Sequence, residues 1–183
     1  MNNPVPLVEV IDENDVDAEL DSQIRKLLAT CFPHWSDIFE HRRLWHQTRP
    51  LVTVVVRDND VVVGHVALVV RTITTTWNFR YNVASIQGVC VAPDHRRQKI
   101  ARQMLDTAAN EARQRGFQFA ILYCHESLVQ FYEWLGWKLA DDSIVMWNQR
   151  DLPIAMRSNC PMYLELTNHP FPEGPIDVHS PTW

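Results

Sequence analysis

Residues 89–116 read VCVAPDHRRQKIARQMLDTAANEARQRG, an apolar run that meets a basic turn and then a helical pattern. Arg96, Arg97 and Lys99 crowd the point where the helix would begin. A helix N-terminus presents unpaired N–H groups and the positive end of the backbone dipole, which together attract anions. Successive N–H groups from Arg97 to Ala101 can cradle a pyrophosphate, and the three cations would add charge. Taken on these residues alone, a solvated basic loop is the competing reading. The histidines are less pointed. His41 and His46 stand five apart, poor spacing for two ligands on one helix, so no metal is expected. His65, inside an apolar run, reads as a core or edge residue. His125 and Glu126 follow another apolar run and read as loop or capping residues before they read as a general base.

The elements that would carry these residues follow from periodicity. Val16, Leu20, Ile24, Leu27, Leu28 and Cys31 recur at steps of three and four, one face of an amphipathic helix ended by Pro33. Ser36 and Asp37 can cap a second helix, with Glu40 completing a capping box, that carries IFEHRRLWHQ and stops before Pro50. LVTVVVR and VVVGHVALVVRTIT are β-branched strands joined by the turn Asp58-Asn59-Asp60, a hairpin. TTTWNFRYN is a polar and aromatic connection. VASIQGVCVA is a strand in which Gly88 marks a bulge or a close backbone approach. The helix after the basic turn buries Ile100, Met104, Leu105, Ala108, Ala109 and Ala112 and ends on Gly116 as C′. FQFAILYC is a continuous apolar strand of the kind buried in parallel sheets, which makes a right-handed βαβ unit. SLVQFYEWLG is a short helix with Ser127 as its cap and Gly136 as its stop. IVMW and MYLEL read as strands, and the Pro-rich tail after them as irregular, with Trp183 as an anchor. The fold class is α/β (α+β), with a mixed sheet and flanking helices.

Bulk properties narrow the classes. The 183 residues suggest a single domain with a sizeable core. A formal net charge of −5 argues against a general nucleic-acid binder and makes the basic turn a local feature. The longest apolar run, residues 61–70, is interrupted by Gly64 and His65 and is of strand length, so no membrane association is expected. No basic end followed by an apolar stretch marks the N-terminus as a secretory signal. Cys31, Cys90, Cys124 and Cys160 are widely scattered with no CxxC pair, which reads as reduced thiols in a cytoplasmic protein.

The basic turn resembles motif A of the GNAT superfamily of N-acetyltransferases, whose pattern is Arg/Gln-x-x-Gly-x-Gly/Ala. Here it reads Arg96-Arg97-Gln98-Lys99-Ile100-Ala101. The preceding VCVAP matches the family's strand ending in V-x-P, and Met104-Leu105 matches its helix. Downstream, FYEWLGW at residues 131–137 resembles motif B, commonly FYxxxGF. The similarity covers about residues 50–139, with C-terminal strands and the tail in residues 140–183. One departure is Lys99 at the motif's central glycine; a lysine fits there with a helical φ and an outward side chain. A weaker similarity, around VAPDHRRQKIA and the tail, is to aminoglycoside 2′-N-acetyltransferases and nodulation-factor N-acyltransferases.

The resemblance implies a mostly antiparallel sheet in which the fourth and fifth strands splay apart. It implies acetyl-CoA as acyl donor, with its pantetheine arm paired along residues 87–91 like an added strand. Val89, Cys90 and Val91 would line that strand, and Arg96, Arg97, Gln98, Lys99, Ile100, Ala101 and Arg102 would hold the pyrophosphate. An N–H near the Gly88 bulge would bond the thioester carbonyl. Tyr132 of motif B would protonate the leaving thiolate. Relatives often carry a glutamate base on the fourth strand; here Ser85 and Gln87 stand there, and a water chain can replace it. The expected function is N-acetylation of a primary amine on a small molecule by direct attack in a ternary complex. The alternatives are a longer-chain N-acyltransferase on an amino sugar and a non-catalytic coenzyme A-binding module. Trp35, Trp45, Trp77, Phe79 and Tyr81 would wall the acceptor pocket or simply pack. A homodimer is a candidate assembly, because relatives often pair through C-terminal strands.

Overall fold

The computed structural model describes residues 7–45, 48–140, 144–147, 153–155 and 159–179. In chain order the elements are β1 (Leu7–Asp12), α1 (Ala18–Cys31), α2 (Ser36–Phe39), β2 (Val52–Asp58), β3 (Val61–Thr75), β4 (Arg80–Val91) and α3 (Ile100–Gln114). They continue with β5 (Phe119–Cys124), α4 (Val129–Trp134), β6 (Lys138–Leu139), β7 (Ile144–Trp147), β8 (Pro153–Ala155), β9 (Cys160–Glu165) and β10 (Ile176–Asp177). The strands form a mixed, mostly antiparallel sheet, the expected fold class; β4 with β5 and β10 with β7 are its parallel pairs among the described residues. The chain divides into two compact units, Met1–Val69 with Ile86–Glu111, and Val70–Ser85 with Ala112–Trp183.

In the first unit, β1 pairs with β2 and β2 with β3, both antiparallel. The β2–β3 turn is tight because Asn59 and Asp60 both take positive φ, 48° and 67°, which short polar side chains tolerate. The apolar stripe of α1 supplies Leu20, Ile24, Leu27 and Leu28 to a core with Phe39, Val55, Val62 and Cys90. Asp17 caps α1 by accepting the N–H of Leu20 at 2.8 Å. Helix α3 lies close to β3 at Gly64, where a Cβ would stand 2.8 Å from Met104 Sδ.

Two sequence expectations change here. LVEVID, which the sequence reading left without an element, is strand β1. The second helix does not run toward Pro50 but ends at Phe39, and neither Ser36 nor Asp37 caps it through its side chain. Phe39 and Arg43 would share a helical face, which would drive a guanidinium into the apolar core. The chain turns instead, and Arg43 reaches Glu13 at 2.5 Å, Asp21 at 2.8 Å and Thr53 at 3.2 Å.

In the second unit, β5 lies between β4 and β9, and β6 pairs with the far side of β9. The parallel register of β4 with β5 consists of Ala84 opposite Ala120 and Ser85 opposite Ile121. The core gathers Ile73, Val83, Phe119, Ile121, Ile176 and Val178. The tail is not wholly irregular: β10 pairs antiparallel with β3 at Thr74 and Thr75, and parallel with β7. Its bonds explain this, since the Pro175 carbonyl accepts the Thr76 hydroxyl at 3.0 Å and His179 Nε2 meets Thr74 Oγ1 at 2.6 Å. Trp183 lies outside the described residues. The C-terminal end of α3 closes on Gly116 as expected: its φ is 83°, its N–H donates to Arg113 O, and that of Phe117 donates to Ala112 O.

Candidate active site

The first unit holds the basic turn. After β4 the chain makes one 3-10 turn, Pro93–His95, tied down by the Ala92 N–H on the Val63 carbonyl at 2.8 Å. Arg96 is extended, with φ −68° and ψ 162°. Arg97 and Lys99 then take positive φ, 64° and 63°. Lys99 therefore has the left-handed backbone that glycine adopts freely, not the helical φ expected for a lysine at this place. Helix α3 starts at Ile100, and the Lys99 carbonyl already accepts the N–H of Gln103 at 3.1 Å. A left-handed L-residue costs roughly 1–2 kcal/mol. Two such residues in one turn re-aim successive N–H groups in a concave loop, the kind of backbone that binds anions. Arg97, Gln98 and Lys99 are exposed, Ile100 is buried beneath them, and Ala101 is half-buried. Arg102 pairs with Asp106 one turn along, at 3.5 Å. Arg96 is differently employed, its Nε donating to the Val91 carbonyl at 3.2 Å.

Within β4, Gly88 takes left-handed backbone, with φ 61°. The Gly88 carbonyl accepts the Nδ1–H of His65 at 2.9 Å. A carbonyl accepts only, so this bond fixes the tautomer and leaves Nε2 bare. His65 is fully buried, and Nε2 has no hydrogen-bond partner. Burial pushes the imidazole down to about 4, against the Gly88 bond, and the Arg43 charge adds to the depression. The core reading of His65 thus holds, and so does the close backbone approach expected at Gly88, its would-be Cβ 3.1 Å from His65 Cε1. Val89 is half-buried, and Cys90 and Val91 are buried.

The second unit holds Tyr132, buried on α4. Motif B has a plain physical content here. Gly136, with φ 87°, is the C′ residue of α4; its N–H donates to Glu133 O at 2.9 Å and that of Trp137 to Tyr132 O at 3.1 Å. Trp137 then packs edge-on against the Tyr132 ring, centroids 6.1 Å apart, with Phe131 on another side at 5.2 Å. Burial lifts the Tyr132 phenol well above its ordinary range, and Cys124 adds to the shift. The phenol is therefore protonated at neutral pH, the form a proton donor requires.

Other candidates are placed as follows. His125, not Ser127, begins the turn before α4, its Nδ1 accepting the Ser127 N–H at 3.3 Å and facing the Ser127 hydroxyl at 2.9 Å. His125 and Glu126 are exposed. Ser85 and Gln87 are buried polar residues of β4. Trp45 packs edge-on between Phe32 and Phe39, and Tyr81 against Phe119, so these two aromatics are structural. Trp35, Trp77 and Phe79 are exposed. His46 lies outside the described residues. The sequence reading missed the Arg43 hub and the pairing of the scattered cysteines. Cys31 packs against the core cluster that contains Cys90, and Cys124 stands directly opposite Cys160 on β9. All four are free thiols. No helix is long and apolar enough to cross a membrane among the described residues.

Comparison with known proteins agrees with this architecture. The family described as acetyltransferase (GNAT) domain matches residues 16–140. The curated proteins give no match. Among solved structures, YhbS from Escherichia coli, a GNAT family N-acetyltransferase in complex with CoA, is 16% identical, with TM-score 0.64 over 98% of this chain and 93% of that one. ElaA from Escherichia coli is 13% identical, with TM-score 0.64 over 88% of this chain and 100% of its own. An aminoglycoside 6'-N-acetyltransferase complexed with coenzyme A is 17% identical, with TM-score 0.62 over 90% and 99%. At such identities the likeness is one of fold. The family match carries more, since it spans well over half of the 183 residues and includes both the basic turn and the Tyr132 helix: the chain belongs to the acetyltransferase (GNAT) domain family and is a GNAT-type N-acetyltransferase.

Proposed function

We propose that the protein transfers the acetyl group of acetyl-CoA to a primary amine of a small molecule, by direct attack within a ternary complex. The observation that carries this reading is the turn before α3, where Arg97 and Lys99 both adopt left-handed backbone and Ile100 opens the helix. That concave run of N–H groups, flanked by exposed cations, fits a pyrophosphate. In this reading Arg97, Gln98, Lys99, Ile100 and Ala101 hold the pyrophosphate through backbone N–H groups. The Lys99 side chain adds charge from outside the turn, and Arg102 contributes from the first turn of α3. Arg96 acts at one remove, holding the Val91 carbonyl. Val89, Cys90 and Val91 offer backbone to the pantetheine amides. The left-handed backbone at Gly88, held by His65, orients an N–H toward the thioester oxygen. Acetyl-CoA supplies the activated acyl group. Tyr132 supplies the proton for the departing thiolate.

The acceptor is a small amine. The net charge of −5 favours a cationic one, and exposed Trp35, Trp77 and Phe79 are candidates to receive it. Aminoglycoside acetyltransferases among the similar folds put amino sugars first in a screen. The domain reading is one acyltransferase domain over residues 1–183, acting in the cytoplasm, with a homodimer as its candidate assembly. The test is calorimetric titration with acetyl-CoA, followed by thiol release across a panel of aminoglycosides and polyamines. Saturable micromolar binding and amine-dependent release of free thiol are expected. Absence of binding at millimolar acetyl-CoA would overturn the reading.

A further inference from the structure

Two cysteine side chains that the acyl-transfer reading does not use share one corner of the first unit. Cys31 is the last residue of α1 and Cys90 the penultimate residue of β4. Far apart in sequence, they meet at one apolar cluster, which contains Cys90 and against which Cys31 packs. Cys31 also donates its S–H to the Val91 carbonyl at 3.5 Å, the carbonyl that Arg96 Nε holds at 3.2 Å. Cys90 belongs to the apolar core of the unit and is buried, whereas Cys31 packs against that core from its half-exposed rim. One thiol is thus open to a small reagent, and the other is screened from everything except its neighbour.

The surroundings favour the thiolate at Cys31. The nearby Cys90 thiol and Arg96 guanidinium together outweigh burial and hold the Cys31 thiol down at about 7. The carboxyl end of α1 works against a negative sulfur, but the full charge of Arg96 exceeds the partial charge of a helix end. Cys90 shifts the other way, raised by the nearby Cys31 and by burial. An accessible low-pKa thiol beside a second, protonated thiol is the arrangement that oxidant-reactive cysteines require. The second unit supplies a contrast. Cys124 and Cys160 also face each other, but burial raises Cys124 to about 11.

We propose that Cys31 is a peroxide-reactive thiol and that Cys90 resolves its oxidised form, closing a Cys31–Cys90 disulfide between α1 and β4. The Cys31 thiolate attacks one peroxide oxygen, the O–O bond breaks, and a sulfenic acid and hydroxide result. The Cys90 thiol then displaces hydroxide from the sulfenic sulfur, and water leaves. The dithiol loses two electrons and two protons, and one hydrogen peroxide becomes two waters. The reaction needs no acyl donor, so it stands apart from the acetyltransferase reading.

The test treats the reduced full-length protein with stoichiometric hydrogen peroxide, alkylates the remaining thiols, and maps peptides without reduction. The expected result is one linked pair, Cys31 with Cys90, lighter by two hydrogens, with Cys124 and Cys160 recovered as alkylated thiols. In Cys90→Ser, dimedone should label Cys31; in Cys31→Ser, no dimedone adduct should form at Cys90. Recovery of Cys31 as a free thiol, at a peroxide dose that oxidises Cys124 or Cys160, would overturn the proposal. So would a Cys124–Cys160 link formed ahead of Cys31–Cys90. The wild-type map decides the matter even if a serine variant fails to fold.

Discussion

Three glycines separate backbone cost from packing cost. Gly116 has φ 83° and nothing within 4 Å of a would-be Cβ, so Gly116→Ala meets only the left-handed penalty, about 1–2 kcal/mol. At Gly64 no positive φ is involved, but an added Cβ would lie 2.8 Å from Met104 Sδ and 3.1 Å from Ile100 Cγ2. The methionine end is flexible, which places Gly64→Ala at the low end of overpacking, about 1 kcal/mol. Gly88 combines both problems. Its φ is 61°, and its Cβ would stand 3.1 Å from Cε1 and 3.2 Å from Nδ1 of an imidazole that its own hydrogen bond holds in place. Displacing that ring also breaks the bond to the Gly88 carbonyl. The sum for Gly88→Ala is about 3–5 kcal/mol. Urea unfolding of the three variants at neutral pH reads these values as midpoint shifts at constant slope. For a chain of this length, the Gly88 variant should also melt roughly 6–20 °C lower. If Gly88→Ala proves no more damaging than Gly116→Ala, the imidazole is not the fixed wall described here, and the argument for a His65-held backbone at Gly88 fails.

Further outcomes follow from the same contacts. His65 has its folded pKa at about 4, below the unfolded value near 6.5, so the unfolded chain binds the extra proton between them. Its contribution is present above pH 6.5 and lost as pH falls toward 4, about 2 kcal/mol by pH 5; His65→Gln should abolish that part of the slope in urea titrations at pH 7 and 5. Tyr132→Phe should lower kcat at least about 100-fold with an accepted amine while leaving acetyl-CoA affinity unchanged; a loss under threefold would remove the phenol from the chemistry. Arg43→Ala removes the cation that Glu13 and Asp21 share, leaving Asp21 with Arg25 alone, and should cost about 3 kcal/mol by urea unfolding; a cost below about 1 kcal/mol would make the hub incidental.

Local chemistry was the readable part of the sequence. The Asp58-Asn59-Asp60 turn, the stripe of α1, the Gly116 and Gly136 stops and the apolar β5 all announce themselves within a few residues. What escaped depends on partners distant in sequence. α2 stops early because Arg43 is claimed by Glu13, Asp21 and Thr53, and nothing in IFEHRRLWHQ says so. Ser127 looked like the cap, but His125 precedes it and offers a better-placed acceptor. The motifs gave the basic turn and the Tyr132 helix, whereas the left-handed φ of Lys99 was hidden by a residue type that seldom adopts it. Cysteine proximity was invisible, because strand register and the end of α1 decide it.

The pairing of β10 with β3 has a consequence for how the protein is made. The Thr76 hydroxyl and the Pro175 carbonyl that tie these strands together are separated by 99 residues. β1, α1, β2 and the first half of β3 find their partners nearby and can settle early on the ribosome. The outer end of β3 has to wait, an open edge at Thr74 and Thr75 through most of elongation, until β10 arrives. The chain is thus most exposed to wrong strand pairing late in translation. A chaperone or a slowed terminal stretch of message would protect it best at that moment.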